Sequence, residues 1–157
     1  MPRLQITPAE IDKHLARLAD TPQRIAAYTT QLSDEQLHTK PGARDWSASE
    51  ILAHLRACEE VWTHSIYAML SENQPEVPLL DERRWAKVAR YAEHEFAAAL
   101  HVFTLRRAEL LIVLNGLSLE NWSRTASIGG RTHTVFSQVR RMALHEAEHC
   151  QQLGSRP

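Results

Sequence analysis

The sequence has five glycines and seven prolines in 157 residues, and they fall in only a few places. Between them run long stretches of good helix formers, which leaves little material for anything except helices. Thr7-Pro8-Ala9-Glu10 reads as a helix start: a capping threonine, proline at the first helical position and glutamate at the third. Asp20-Thr21-Pro22 either kinks that helix or caps a second one running from about Pro22 to Leu32. Ser33-Asp34-Glu35-Gln36 and Ser47-Ala48-Ser49-Glu50 both have capping-box spacing. The first opens a short turn, the second a helix carrying Ile51, Leu55, Cys58, Val61, Trp62, Ile66 and Met69. Lys40 to Asp45 is a loop, and Asn73 to Pro78 breaks the chain again. Asp81 then caps a helix to about Asn115, roughly 50 Å long at 1.5 Å per residue, stopped by Gly116. A connector over 118–134 bends at Gly129-Gly130, with room for a short extended hairpin. The last helix runs from Thr134 or Val135 to Leu153, with Gly154 ending it. No alternating run is long enough to build a sheet, and there is no internal repeat. The expectation is one all-α domain over 1–157, an antiparallel four-helix bundle.

Charge and composition narrow the function classes. The 18 Lys+Arg nearly cancel the 19 Asp+Glu, so there is no electrostatic footprint for nucleic acid. No run of about 18 apolar residues exists to span a membrane. Met-Pro-Arg-Leu-Gln at the start lacks the apolar core of a signal peptide. Cys58 and Cys150 belong to no local pairing motif and point to a reducing compartment, so a cytoplasmic location is expected.

Nine histidines are more than such a chain needs, and helical phase sorts them. On the 81–115 segment the apolar stripe is Val88, Ala92, Phe96, Ala99, Phe103, Leu110 and Leu114; His94 and His101 lie half a turn away and are expected in solvent. His64 sits at or beyond the edge of the preceding helix's stripe, whereas His54 falls inside it, one turn from Ile51 and Cys58. A lone inward histidine is more often a hydrogen-bonded core residue than a ligand. Near the end of the chain, His145-Glu146-Ala147-Glu148-His149 puts two imidazoles at i and i+4, where both can reach one metal ion. These two flank the stripe of Val135, Val139, Met142, Cys150 and Leu153, while Glu146 lies nearer its centre. An inward carboxylate has two readings: an open, wet end of the bundle, or a group that orients a ligand imidazole or acts as a base. His54, His145 and His149 together would make a three-histidine site with an open coordination position. Cys58 is a fourth ligand, a redox-sensitive thiol or, most commonly for such a residue, a small buried apolar group. Trp46, Trp62, Trp85 and Trp122 read as packing anchors.

The order of these segments resembles the DinB-like superfamily of four-helix metalloproteins, relatives of the bacillithiol- and mycothiol-dependent transferases. The likeness runs from about Leu18 to Leu153. Thr21-Pro22 leads a helix ending in Leu32-Ser33, with Leu37 and Pro41 beyond it. Trp46-Ser47-Ala48-Ser49-Glu50-Ile51-Leu52-Ala53-His54-Leu55 is similar to the family's Trp-Ser-x-x-Glu-x-x-x-His-Leu segment. His145-x-x-x-His149 followed by Gln152-Leu153 is similar to its second ligand segment. The resemblance implies an up-and-down bundle, a divalent metal on His54, His145 and His149, and frequent homodimers.

The expected function is a metal-dependent enzyme of the thiol S-transferase or hydrolase type acting on a small molecule. A low-molecular-weight thiol, mostly protonated at neutral pH, would be deprotonated by the ion, or water would be activated instead. Imidazoles alone do not choose among zinc, nickel, iron and manganese. The His-Glu-x-x-His string also fits a zinc protease, but the chain ends before the usual downstream ligand. A ferritin-like di-iron centre needs two Glu-x-x-His units, and only Glu146-x-x-His149 fits. The alternative outside catalysis is a stress-response or binding bundle with a structural or vestigial metal. The segments 38–46 and 118–133 are expected to wall the site.

Overall fold

The computed structural model describes residues 5–156. The reading of Met1–Leu4 as no signal-peptide start, and the outermost limits of the 1–157 domain, lie outside the described residues.

The capping signals are where the helices begin. Thr7 Oγ1 accepts from the Glu10 amide at the head of α1 (Pro8–Thr29). Full capping boxes open α2 (Asp34–His38) at Ser33 and α3 (Ala48–Ser71) at Ser47. No second helix starts at Pro22, because α1 passes straight through it. Proline lacks the N–H that would bond the Leu18 carbonyl one turn back. That carbonyl instead accepts from Arg107 Nη1 at 2.8 Å, so the helix continues with its acceptor satisfied.

The 81–115 segment is not one helix. It divides into α4 (Glu82–Val88), a 3-10 turn (Tyr91–Glu93) and α5 (Phe96–Asn115). Arg90 adopts φ 56° at the break, a left-handed conformation that ends α4 without glycine or proline. Val88, placed in the apolar stripe by a continuous helix, is therefore exposed at 78 %. Phe96, Ala99, Phe103, Leu110 and Leu114 are buried as expected.

After α6 (Leu119–Trp122) the connector does form a hairpin, β2 (Thr125–Ile128) with β3 (Arg131–Thr134). Gly129 and Gly130 take φ 57° and 81°, the double left-handed turn that two-residue hairpins need. A two-residue strand, β1 (Glu76–Val77), adds to β2 in parallel, making a small sheet that the sequence did not signal. Two residues carry no alternation for a pattern to register. Thr134 caps α7 (Val135–Gly154) in a third capping box.

The four long helices are α1, α3, α5 and α7. Along α1 and α7 the contacts advance together: His14 with Phe136, Thr21 with Glu146, Tyr28 with Gly154. Those two helices run parallel. Along α3 and α7 they run in opposite order, Trp46 with His149, His54 with His145, and Trp62 with Arg141. The chain between α3 and α5 returns alongside α3, with Glu82 bonded to Trp62, Tyr91 to Glu60 and His94 to Arg56. So α5 starts at the same end as α3. The bundle runs up, down, down, up, and not in the strict alternation that an up-and-down bundle implies.

The core lies in two apolar clusters. One contains Leu18, Val61, Leu110, Val139 and Met142; the other contains Ile25, Leu55, Phe103, Cys150 and Leu153. Between them each long helix contributes one polar residue: Thr21, Glu59, Arg107 and Glu146.

Candidate metal centre

The polar layer accounts for Glu146. Its carboxylate is 2 % exposed and accepts from both Arg107 Nη atoms, one at 2.9 Å, and from Thr21 Oγ1 at 2.8 Å. Arg107 also donates through Nε to Glu59 Oε1 at 3.1 Å, and its Nη2 lies 3.9 Å from Met142 Sδ. Two carboxylates around one guanidinium leave an excess negative charge, and burial pushes Glu59 up to about 8. Glu59 is then neutral at pH 7 and the layer balances. Neither sequence reading of Glu146 holds: it is not wet, and it makes no contact with a ligand imidazole. Arg107 was the missed residue. Its signal was its place in the stripe, four residues after Phe103 and three before Leu110.

One step around α7 from Glu146 the situation reverses. Antiparallel packing brings His54 of α3 against His145 and His149 of α7. His145 Nε2 lies 3.0 Å from His54 Nε2 and 3.2 Å from His149 Nε2. In its ring plane His145 Nε2 offers either one N–H or one lone pair, so it can be matched to only one of its two neighbours, and the other contact is left unsatisfied. His145 Nδ1 is buried with no hydrogen-bond partner. His149 is held in place: its Nδ1 lies 2.9 Å from Gln152 Oε1, an acceptor, which leaves the His149 Nε2 lone pair aimed at the cluster. Burial, and then the neighbouring His149, hold His54 down to about 4 and His145 down to about 3. Both rings are neutral at pH 7, the form that ligates metals.

Cys58 is 2 % exposed, with Sγ 3.6 Å from His54 Nε2 and 3.9 Å from Nδ1. A sulfur nearly equidistant from both nitrogens lies against the ring and off the axis of either lone pair. Burial pushes this thiol up, so it is no nucleophile by itself. His54, Cys58 and His145 offer ligand atoms all within 4.8 Å of one another, a group that could hold a metal ion.

The surroundings are aromatic. Trp46 lies parallel to His149 at 5.9 Å and edge-on to His54 at 5.1 Å, and Trp62 is edge-on to His145 at 5.1 Å. These two tryptophans are packing anchors that also wall the cluster. His54 opens onto a pocket of about 430 Å3, lined on one side by Trp46, Glu50 and Ala53 and on the other by Arg83, Ala86 and Lys87. That second wall is α4, not the 118–133 connector, from which no pocket residue comes. It is fastened to α3 by Trp62 Nε1 to Glu82, Trp85 Nε1 and Tyr91 Oη to Glu60, and Arg56 to His94. His94, His101 and His64 are exposed and lie apart from the cluster.

Residues 17–153 match the profile of the DinB superfamily. The chain belongs to the DinB superfamily. Among solved structures, YfiT from Bacillus subtilis, described as a probable metal-dependent hydrolase with an unusual four-helix bundle topology, superposes on this DinB-superfamily chain with a TM-score of 0.87. The superposition covers 99 % of this chain and 92 % of that one, at 18 % identity, and it shows a shared fold. No curated protein matches the chain in sequence. Among the described residues, no helix is long and apolar enough to cross a membrane.

Proposed function

We propose that this chain is a metal-dependent enzyme acting on a small molecule, with a divalent ion held by Nε2 of His54, His145 and His149. The observation that carries this is the convergence of three imidazole nitrogens at 3.0 and 3.2 Å around His145, where no tautomer satisfies both contacts. Lone pairs at that separation repel unless a cation draws them together, and three imidazoles leave a position open for chemistry. An ion held there supplies Lewis acidity and lowers the pKa of water or of a low-molecular-weight thiol. The chain's own groups do the rest. Gln152 fixes the His149 tautomer, Trp46 and Trp62 exclude water from the rings, and neutral imidazoles leave the ion's charge undiminished. The likeness to YfiT, a probable metal-dependent hydrolase, favours hydrolysis, and thiol transfer is the companion reading. Glu146 serves neither, because Arg107 holds it.

A second reading rests on Cys58. If its sulfur occupies the remaining position, the site is closed and structural. Metal analysis of the purified chain and of His54→Ala and Cys58→Ser decides among these. Stoichiometric metal lost in His54→Ala and kept in Cys58→Ser supports the open three-histidine site. Metal retained without His54 sinks it, and metal lost with Cys58→Ser supports the closed one.

A cytoplasmic homodimer belongs to the same proposal. Cys58 and Cys150 are free thiols, as a reducing compartment keeps them. The outer face of α5 exposes Val102, Leu105 and Ile112 at 36, 53 and 76 %, all within one helical stripe. Sedimentation of Leu105→Glu/Ile112→Glu against the parent chain reads this directly: a monomer is expected for the variant and a dimer for the parent.

A further inference from the structure

The pocket beside His54 has an uneven charge distribution. Its two carboxylates are already engaged. Glu50 Oε1 lies 3.3 Å from Lys40 Nζ while Oε2 accepts the Ser47 amide, and Glu93 pairs with Arg90 at 2.5 Å. Neighbouring Glu82 accepts from Trp62 Nε1 at 2.7 Å and does not line the pocket. Arg83 and Lys87 remain. Among the described residues neither has a carboxylate within salt-bridge distance, and both line the pocket. They stand at i and i+4 on α4, so their side chains leave the helix on the same face. Ala86 beside them keeps that face open. The Arg83 guanidinium lies 5.4 Å from the Trp46 ring centre, and Trp46 touches both His54 and His149. Two uncommitted cations therefore stand across a space of about 430 Å3 from the histidine cluster, with an indole and two alanines between.

We infer that this pocket takes a small substrate by an oxyanion group, carboxylate or phosphate, held by Arg83 and Lys87 while its reacting end lies at the histidines. The guanidinium fork matches two oxygens of either group, and the ammonium adds charge without demanding a geometry. Between them Trp46, Ala53 and Ala86 suit a short apolar spacer. That the ligand is a substrate rests on the metal-centre reading above; that the pocket holds an oxyanion does not.

The test therefore uses chelator-treated chain, so that no probe can bind through an ion. Succinate, inorganic phosphate and neutral succinamide are titrated separately, following the Trp46 indole and Arg83 Nε signals by 15N NMR. Saturable shifts are expected with succinate, phosphate or both, and the stronger binder identifies the group; succinamide should give none. Arg83→Gln/Lys87→Gln should weaken binding roughly tenfold, as two exposed charge pairs allow. Arg84→Gln, a charge of the same helix that does not line the pocket, should leave it unchanged, and Lys87→Gln alone serves if the double variant folds poorly. Equal binding of succinamide, unaltered binding in the double variant, or no shift with either anion overturns the inference. The metal-free chain separates the two claims: oxyanion binding there should be seen whether or not the metal-centre reading holds.

Discussion

Glu146 and His145 are neighbours on α7, yet they sit in buried polar clusters of opposite character. At Glu146 itself the hydrogen-bonding capacity is matched: both of its oxygens accept, and the Arg107 guanidinium donates in every direction, so that Glu59 Oε2 is the one side-chain atom of the layer buried without a partner. Around His145 it is not: three like nitrogens face one another, and the remaining Nδ1 has no partner. A carboxylate answered on both oxygens by a buried guanidinium explains itself as structure, since the pairing offsets the desolvation of both groups. Three adjoining imidazoles that cannot satisfy one another are the arrangement on which the proposed metal site rests. Buried polarity is thus a poor guide to function by itself, whereas several metal-ligating side chains unmatched against one another are informative.

The sharpest way to break this contrast is to remove Arg107. Arg107→Met leaves Glu146 buried and unpaired and should lower stability by about 3–5 kcal/mol in urea unfolding, with little left folded if the parent is marginal. Replacing Glu59 and Glu146 by apolar residues as well should recover most of that loss; if it does not, the layer does more than balance charge. On the other side of α7, His149→Ala should abolish metal binding while the metal-free chain melts near the parent temperature. A large fall in melting temperature would make the histidines structural too. Gln152→Leu should be milder, weakening metal affinity by roughly 10–100-fold through loss of the partner that orients His149.

The two clusters should also respond to pH with opposite signs. Burial holds folded His54 down to about 4 and His145 down to about 3, against about 6.5 for a free imidazole, so the unfolded chain binds more protons in between. Metal-free stability then falls as pH drops below about 6.5. Glu59 is raised to about 8 from 4.5, so the folded chain holds the extra proton, and its contribution falls as pH rises through that window. In thermal melts across pH, His145→Phe should flatten the acid limb and Glu59→Gln the alkaline one. The smallest effect is expected at His14, which is 2 % exposed, has no hydrogen-bond partner and lies 3.7 Å from Glu10. His14→Leu should be neutral or raise stability by up to about 1 kcal/mol, since it removes an unmet polar group.

Much of this was legible from residues alone. The caps at Thr7, Ser33, Ser47 and Asp81 are local chemistry, and each helix begins where its cap stands. His54, His145 and His149 were grouped by helical phase and family likeness, and the fold brings them within touching distance. What escaped notice depends on tertiary partners. The break at Arg90 carries no glycine or proline, because its left-handed turn is held by contacts of Tyr91 and His94 with α3. The place of Arg107 in the apolar stripe marks it as inward, but its partners stay hidden until residues 59 and 146 arrive from other helices. Helix order escaped for the same reason, since it follows from α4 travelling back along α3.

That return path also separates two jobs within one chain. The cluster is built wholly from α3 and α7, while the wall facing it belongs to residues 82–93, a detour attached at Glu60, Arg56 and Trp62. The detour could be exchanged for another of similar span without disturbing the bundle that aims the imidazoles. On the function proposed above, selectivity would be held in an interchangeable part, and a library confined to that segment is expected to change which molecules bind while leaving the histidine cluster as it is.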